Sequence, residues 1–333
     1  MKPFIISILC YFFSILTVAR AQDTFSMVAI DTTTGEVGSA GASCVDLTGI
    51  SGLSDHFLGE LFPGKGAINT QAYYVPANQI NARNRMNAGD TPSQIIDWLI
   101  ENDISNQPQL RQYGIVAMVT GSPQSAGYTG AGTDDYKNHI TGPHYAIQGN
   151  ILLGQEILDS MEARFLAAEG SLACRLMAAL QGANVVGADT RCASNGTSSL
   201  FAFVKVAQPD DDFGNPSFIR SVRTKANAGI EPIDSLQIIF DNTVDCGTTG
   251  LGDGTEPIPG LTLSPNPTGN ALHLWTSSAE SYQMELRDLT GRLLHTGILL
   301  RQADLDMTPL PAGTYLLRLW NEKASAIHRV VRE

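Results

Sequence analysis

Two stretches of this chain have no polar face. In "RQYGIVAMV" (111–119) and "SLFAFVKVA" (199–207), apolar residues fill odd and even positions alike. Successive strand residues point to opposite faces of a sheet, so strands of this kind need apolar cover on both sides. Two helix pairs can supply it. In the first, "NQINARNRMNAG" precedes "TPSQIIDWLIEND", where Thr91 is the N-cap, Pro92 the first position, and Ile95, Ile96, Leu99 and Ile100 the apolar face. In the second, "GQEILDSMEARFLAAEG" presents Ile157, Leu158, Met161 and Phe165, and "SLACRLMAALQGA" follows across Gly170 and Ser171. Residues 24–31 and 36–43 read as strands around the turn "TTTG", and 66–72 and 125–130 read as further strands. The consistent assembly is an α+β fold in which two sheets face each other with a helix pair outside each, a four-layer α/β/β/α sandwich.

The composition changes at "DCGTTGLGDGTEPIPG" (245–260), where glycine and proline replace every apolar period. A linker over 247–258 therefore separates a large domain, 22–246, from a small one, 259–333. The small domain alternates in short runs such as "YQMELRDLTGRLLHTGIL" and "LPAGTYLLRLW", the pattern of a small all-β sandwich. At the other end, Lys2, the apolar run 4–19 and Ala19-Arg20-Ala21 compose a secretory signal peptide over 1–21. That run is shorter than the roughly 20 residues of a membrane span. Export brings the cysteines into an oxidising compartment. Of the five, Cys10 lies in the signal, leaving Cys44, Cys174, Cys192 and Cys246. Four cysteines allow three pairings. The short loop favours Cys174 with Cys192, and four free buried thiols are the alternative.

The net charge is −12 and no cluster of Lys or Arg exceeds two residues, which excludes a nucleic-acid partner. No phosphate loop, serine-hydrolase elbow, zinc motif or Cys-x-x-Cys occurs, so no cofactor or metal is expected. His139 and His144 share a predicted loop, too few ligands for zinc. The remaining chemistry is that of Thr24. A threonine at a chain terminus carries its own base, an α-amine of pKa about 7.7–8.0. A nearby ammonium would lower that value, and Lys65 in "PGKGA" is the candidate, against a plain surface turn residue. Thr24 is otherwise a strand-initiating residue. Cleavage after Ala21 leaves Gln22 first, so a terminal threonine also requires loss of Gln22 and Asp23.

In order along the chain, "TFSMVAIDTTTGEVGSAGAS", "GKGAINTQA", "LRQYGIVAMVTG", "HYAIQGNIL" and "VVGADTR" resemble the domain-of-unknown-function family 1028, grouped with the Ntn (N-terminal nucleophile) hydrolases. The resemblance covers roughly 24–240. It implies the four-layer sandwich and a hydrolase of amide bonds. It also implies site residues: Thr24 as the opening threonine and nucleophile, Gln71 in "TQA", Gln148 and Asn150 in "QGN", and Asp189 and Arg191 in the segment near 187–191. The chain departs from the family at Cys44, where a basic residue is usual, and at "SVRTKAN" (221–227), where an Asp-rich stretch is usual. These departures fit a second reading, a non-catalytic secreted domain that binds a cell-surface component through the same sandwich. The small domain, with "LSPNPTGNALHL", "LPAGTYLLRL" and "HRVVRE", resembles the C-terminal sorting domain of type IX secretion in Bacteroidetes-type bacteria. It implies the type IX machinery as a partner and a secreted or surface-attached protein. The remaining partner would be an amide-containing or cell-surface ligand.

Overall fold

The computed structural model describes residues 25–246, 258–288, 292–321 and 323–333. The signal segment 1–21, Thr24 and nearly all of the linker 247–258 lie outside them. The chain divides after Gly247 into two units. The first runs β1 (Phe25–Ile30), β2 (Val37–Ser43), β3 (Gly59–Phe62), β4 (Gly66–Gln71), α1 (Pro76–Ala88), α2 (Pro92–Glu101), β5 (Gln112–Val119), β6 (Ser122–Thr129), β7 (Asn138–Gly142), β8 (Tyr145–Gly149), α3 (Gln155–Ala167), α4 (Leu172–Gly182), β9 (Phe201–Ala207), β10 (Phe218–Arg223) and α5 (Pro232–Asp241). Its strands form a six-stranded sheet, β10-β9-β2-β1-β8-β7, and a four-stranded sheet, β3-β4-β5-β6. All the strand pairs in both are antiparallel.

The alternation of side chains explains the two-faced apolar strands. Phe25, Met27 and Ala29 of β1 and Ala202, Val204 and Val206 of β9 join Leu158, Phe165, Leu176 and Leu236 in a core between the six-stranded sheet and α3, α4 and α5. Val28 and Ile30, on the other face of β1, meet Leu61, Ala67 and Val116 of the four-stranded sheet. The outer face of that second sheet, with Ile68, Tyr113, Ile115 and Ala117, packs under Ile95, Ile96 and Leu99 of α2. Each of the Val, Leu, Ile, Phe and Met side chains among these contributes about 1.5–3 kcal/mol on burial. Helix α2 starts with a capping box between Thr91 and Gln94. The unit is thus mixed α/β with antiparallel sheets, each sheet having helices on one face and the other sheet on its inner face.

The edge strands β7 ("NHITG") and β10 ("FIRSVR") are half-exposed. With one side open to water they carry no continuous apolar pattern, which is why sequence periodicity passes over them. His139 consequently lies in β7 rather than in a loop, and His144 sits in the turn before β8.

The expected Cys174–Cys192 bond is not formed. Cys44 pairs with Cys192 (Cα–Cα 5.7 Å) and Cys174 with Cys246 (Cα–Cα 5.5 Å). Cys174 sits in the first turn of α4, and the chain then runs the length of that helix, roughly 16 Å at 1.5 Å per residue, before it approaches Cys192. Proximity along the sequence is overridden by the helix between them.

The second unit is all-β: β11 (Thr262–Ser264), β12 (Ala271–Trp275), β13 (Ser281–Asp288), β14 (Leu293–Leu300), β15 (Gln302–Asp306), β16 (Gly313–Trp320) and β17 (Ser325–Arg332). The order is β11-β12-β15-β14-β13-β16-β17. Strands β14 and β15 share a single pair, Leu300↔Gln302, around Arg301 at φ 65°. The two portions enclose one core, Leu272, Leu274 and Leu305 from one and Tyr282, Met284, Leu286, Leu317 and Leu319 from the other.

Glycine sets the gap between the two sheets of the first unit at Gly114 of β5. A Cβ there would lie 1.8 Å from Gln148 Oε1 of β8. Gly114→Ala is expected to destabilise the protein by about 1–3 kcal/mol through overpacking, measured by urea unfolding. The same change made in a Gln148→Ala background should cost less.

Candidate functional site at the head of the first strand

Strand direction gathers one end of both sheets. Phe25 at the start of β1 pairs with Ala42 of β2 and Gly149 of β8. In the other sheet Gln71, ending β4, pairs with Gln112, starting β5, and Gln112 pairs with Thr129. At this end the layer between the sheets turns polar. Gln148 Nε2 donates to Ser26 Oγ (2.5 Å), Ser26 Oγ to Gln71 Oε1 (2.6 Å), and Gln71 Nε2 to Gln112 Oε1 (2.7 Å). Gln112 Nε2 donates to Gly149 O (2.8 Å) and Thr129 Oγ1 (2.9 Å). Thr129 Oγ1 lies 2.9 Å from His139 Nδ1, so the network reaches that ring. Burial lowers the His139 pKa and keeps that ring neutral.

Beyond β8 the pattern breaks. Asn150 is fully buried, and neither side-chain atom has a hydrogen-bond partner among the described residues. Gln148 Oε1 is in the same state. A buried polar group without a partner costs about 1–3 kcal/mol. The backbone is strained at the same place. Ile151 has φ 58°, and Ala72 and Tyr73, directly after Gln71, have φ 53° and 46°. A β-branched residue at positive φ is a genuine outlier, and such strain concentrates where ligands are held or chemistry is done.

A second segment closes over this end. Leu152 bridges to Asp189, and Thr190 N donates to Ile151 O (3.0 Å). The Asp189 carboxylate is fully buried. It accepts from Cys44 N (2.7 Å), Arg191 Nη2 (2.6 Å) and Arg191 Nε (3.0 Å), while Arg191 Nη2 also reaches Ser43 Oγ at 3.3 Å. The Cys44–Cys192 disulfide fastens the end of β2 to the short 3-10 turn Thr190–Asn195.

Of the residues singled out in the sequence, Gln71, Gln148, Asn150, Asp189 and Arg191 therefore meet at one end of the sandwich. Thr24 lies outside the described residues. Lys65 is elsewhere: it is exposed in the β3–β4 turn, where its carbonyl accepts the Met118 N–H. Strand β4 separates it from Gln71 by about 20 Å at 3.3 Å per residue. The lysine that burial singles out is Lys205 of β9, only 6% exposed. Its ammonium donates to the carbonyls of His56 (3.1 Å) and Gly59 and lies 3.4 Å from His56 Nδ1. Desolvation brings its pKa down to about 8, with Glu60 opposing. The signal was present in the sequence as the one charge inside "SLFAFVKVA".

Residues 24–218 match a family described as of unknown function (DUF1028), and residues 262–333 match the secretion system C-terminal sorting domain. Among solved structures the chain is similar to protein SPO2555 from Silicibacter pomeroyi, assigned to the same family, at 20% identity and a TM-score of 0.52. The match covers 71% of this chain and 95% of that one, and it concerns the fold. No curated protein matches significantly. Among the described residues no helix is long and apolar enough to cross a membrane, and no group of three or more His, Cys, Asp or Glu is placed to hold a metal ion. The sorting domain indicates secretion and attachment at the cell surface.

The Lys205 geometry sets a pH dependence. Folded Lys205 releases its proton near pH 8 instead of the ordinary 10.5. Between those values the unfolded chain binds more protons, so this group adds stability as pH rises, up to about 3 kcal/mol across the whole window. In urea unfolding at pH 7.5 and 9.5, the stability of the wild type relative to Lys205→Met is expected to increase with pH. A constant difference contradicts the assignment.

Proposed function

The chain belongs to the family of unknown function DUF1028, and from that premise we propose that it is an exported amide hydrolase of the Ntn type, with its site at the polar end of the two sheets. The observation that carries the proposal is Asn150, an amide side chain fully buried with no partner among the described residues, one residue past the strand that flanks β1. The facing sheets with helices outside support the same reading, since the Ntn sandwich has that layering. The signal 1–21 would be removed on export, and loss of Gln22 and Asp23 would expose Thr24. The Thr24 hydroxyl then adds to the amide carbonyl while its proton passes to the α-amine. That proton goes on to the leaving nitrogen as the C–N bond breaks, and water hydrolyses the resulting ester. Asn150 Nδ2 donates to the oxyanion as charge develops there. Gln71 and Gln148 hold Ser26 and so position β1, and the Asp189–Arg191 pair holds the segment after Asn150. Lys65 takes no part, because β4 carries it away to the other end of the sheet.

One observation favours the non-catalytic alternative. The position after Ser43, where the family tends to carry a basic residue, is here Cys44, bonded to Cys192. The experiments separate the two. The mature secreted protein is expected to begin at Thr24 on N-terminal sequencing; a mature chain beginning at Gln22 excludes the mechanism. Thr24→Ala should abolish hydrolysis of amide substrates, and Asn150→Ala should lower kcat about 10²–10³-fold. Retained activity in Thr24→Ala sinks the assignment and leaves the binding reading. Deletion of 259–333 is expected to hold the protein in the periplasm, read by cell fractionation; its normal appearance outside the cell would refute the role of the sorting domain.

A further inference from the structure

A cleft of about 430 Å³ opens between the 52–58 segment, β3, α1, β9 and the segment 213–219. It shares no side chain with the site at the head of β1. Phe57 and Tyr74, whose rings meet edge to face with centroids 4.9 Å apart, and Phe213 give it aromatic walls. Its polar groups are committed unevenly. The Glu60 carboxylate is taken by Arg83, through Nε at 2.9 Å and through Nη2. Gln79 accepts from Tyr74 Oη (2.7 Å) and donates to Phe57 O (2.8 Å). Lys205 is spent on backbone carbonyls and faces His56 Nδ1, which places the ring proton of His56 on Nε2.

Among the described residues, three side-chain groups lining the cleft have no hydrogen-bond partner: Nη1 of Arg83 and Nε2–H of His56, both donors, and the Ser54 hydroxyl, which can donate or accept. The Arg83 guanidinium is held in place on its other side by the Phe213 ring, 5.3 Å from the ring centroid. Lys205 and Arg83 against Glu60 leave an excess of one positive charge in the cleft, although the chain as a whole carries −12. Burial and the Lys205 charge lower the His56 pKa, so the ring stays a neutral donor.

We propose that this cleft binds a small molecule with one carboxylate and an aromatic or apolar body. The carboxylate meets the Arg83 and His56 donors in the field of Lys205, and the body lies against Phe57, Tyr74 and Phe213. A volume in the range of ordinary small-molecule pockets, with polar and apolar lining in about equal share, suits a ligand that has both a charged end and an apolar body. A neutral ligand of the same shape leaves the positive charge uncompensated.

Isothermal titration calorimetry on the full chain with 3-phenylpropionate and with its neutral analogue 3-phenylpropionamide tests this. The carboxylate is expected to bind at least tenfold more tightly than the amide. Arg83→Gln should weaken the carboxylate at least tenfold. Glu60→Gln removes the competing anion and should strengthen it several-fold, a gain that a folding defect cannot imitate. Phe213→Ala, a change at a partly exposed ring, should weaken both probes. Equal affinity for the two probes, no binding of the carboxylate, or an unchanged affinity in Glu60→Gln and Phe213→Ala overturns the proposal, whatever Arg83→Gln does to folding.

Discussion

Everything in the first unit depends on two sheets burying their inner faces against each other. Deep in that layer Val28, Ile30, Ala67 and Val116 exclude water by plain apolar contact. Towards the head of β1 the same inward positions hold Ser26, Gln71, Gln112 and Gln148. Once water is excluded, each of these amides must find a partner within the protein or remain a cost. The one-directional chain from Gln148 to Thr129 is the result. It needs close approach, and Gly114 supplies the space for Gln148. Gly59 does the same for the Ser39–Asn69 pair, where an added Cβ would come 2.3 Å from Ser39 Oγ.

The buried polar residues therefore fall into two kinds. Ser26, Gln71 and Gln112 give and receive within the chain, so they lock the register of β1, β4 and β5 and make the head of β1 rigid. Asn150 and the outer oxygen of Gln148 find no partner among the described residues, at the point where Ile151 and Ala72 are strained. Gln71 and Gln112, by contrast, are committed on both their donor and acceptor sides within the chain.

How far this was legible in the sequence follows from how local each cause is. Strands β5 and β9 announced their layer because both faces are apolar, and α2 announced its start through Thr91, Pro92 and Gln94. Edge strands β7 and β10 did not, because a half-exposed strand need not alternate cleanly. The motif-based candidates Gln71, Gln148, Asn150, Asp189 and Arg191 converge because each sits at a strand end or just past one. Lys65 did not, since a turn at one end of a strand lies a strand's length from the other. The disulfide pairing depended on where α4 points, which four cysteine positions do not encode. Lys205 was visible as a charge inside an apolar run, but only the fold shows that its ammonium ends on the carbonyls of His56 and Gly59.

The two lysines also separate electrostatic roles that sequence context confounds. A cation exerts a long-range effect on a reacting group only where solvent does not screen it. Lys65, exposed in its turn, is screened and distant. Lys205 is desolvated and held by neutral carbonyls, and among the described residues it makes no direct carboxylate contact, so its charge is felt in the cleft that it lines. Glu60 answers only part of it, being engaged by Arg83. The unit thus places its buried lysine on the side of β3 and β9 and its unpartnered amide atoms Gln148 Oε1, Asn150 Oδ1 and Asn150 Nδ2 at the head of β1. On the two proposals made above, one pair of sheets would carry two chemically different sites, one for an anion and one for a polar carbonyl group.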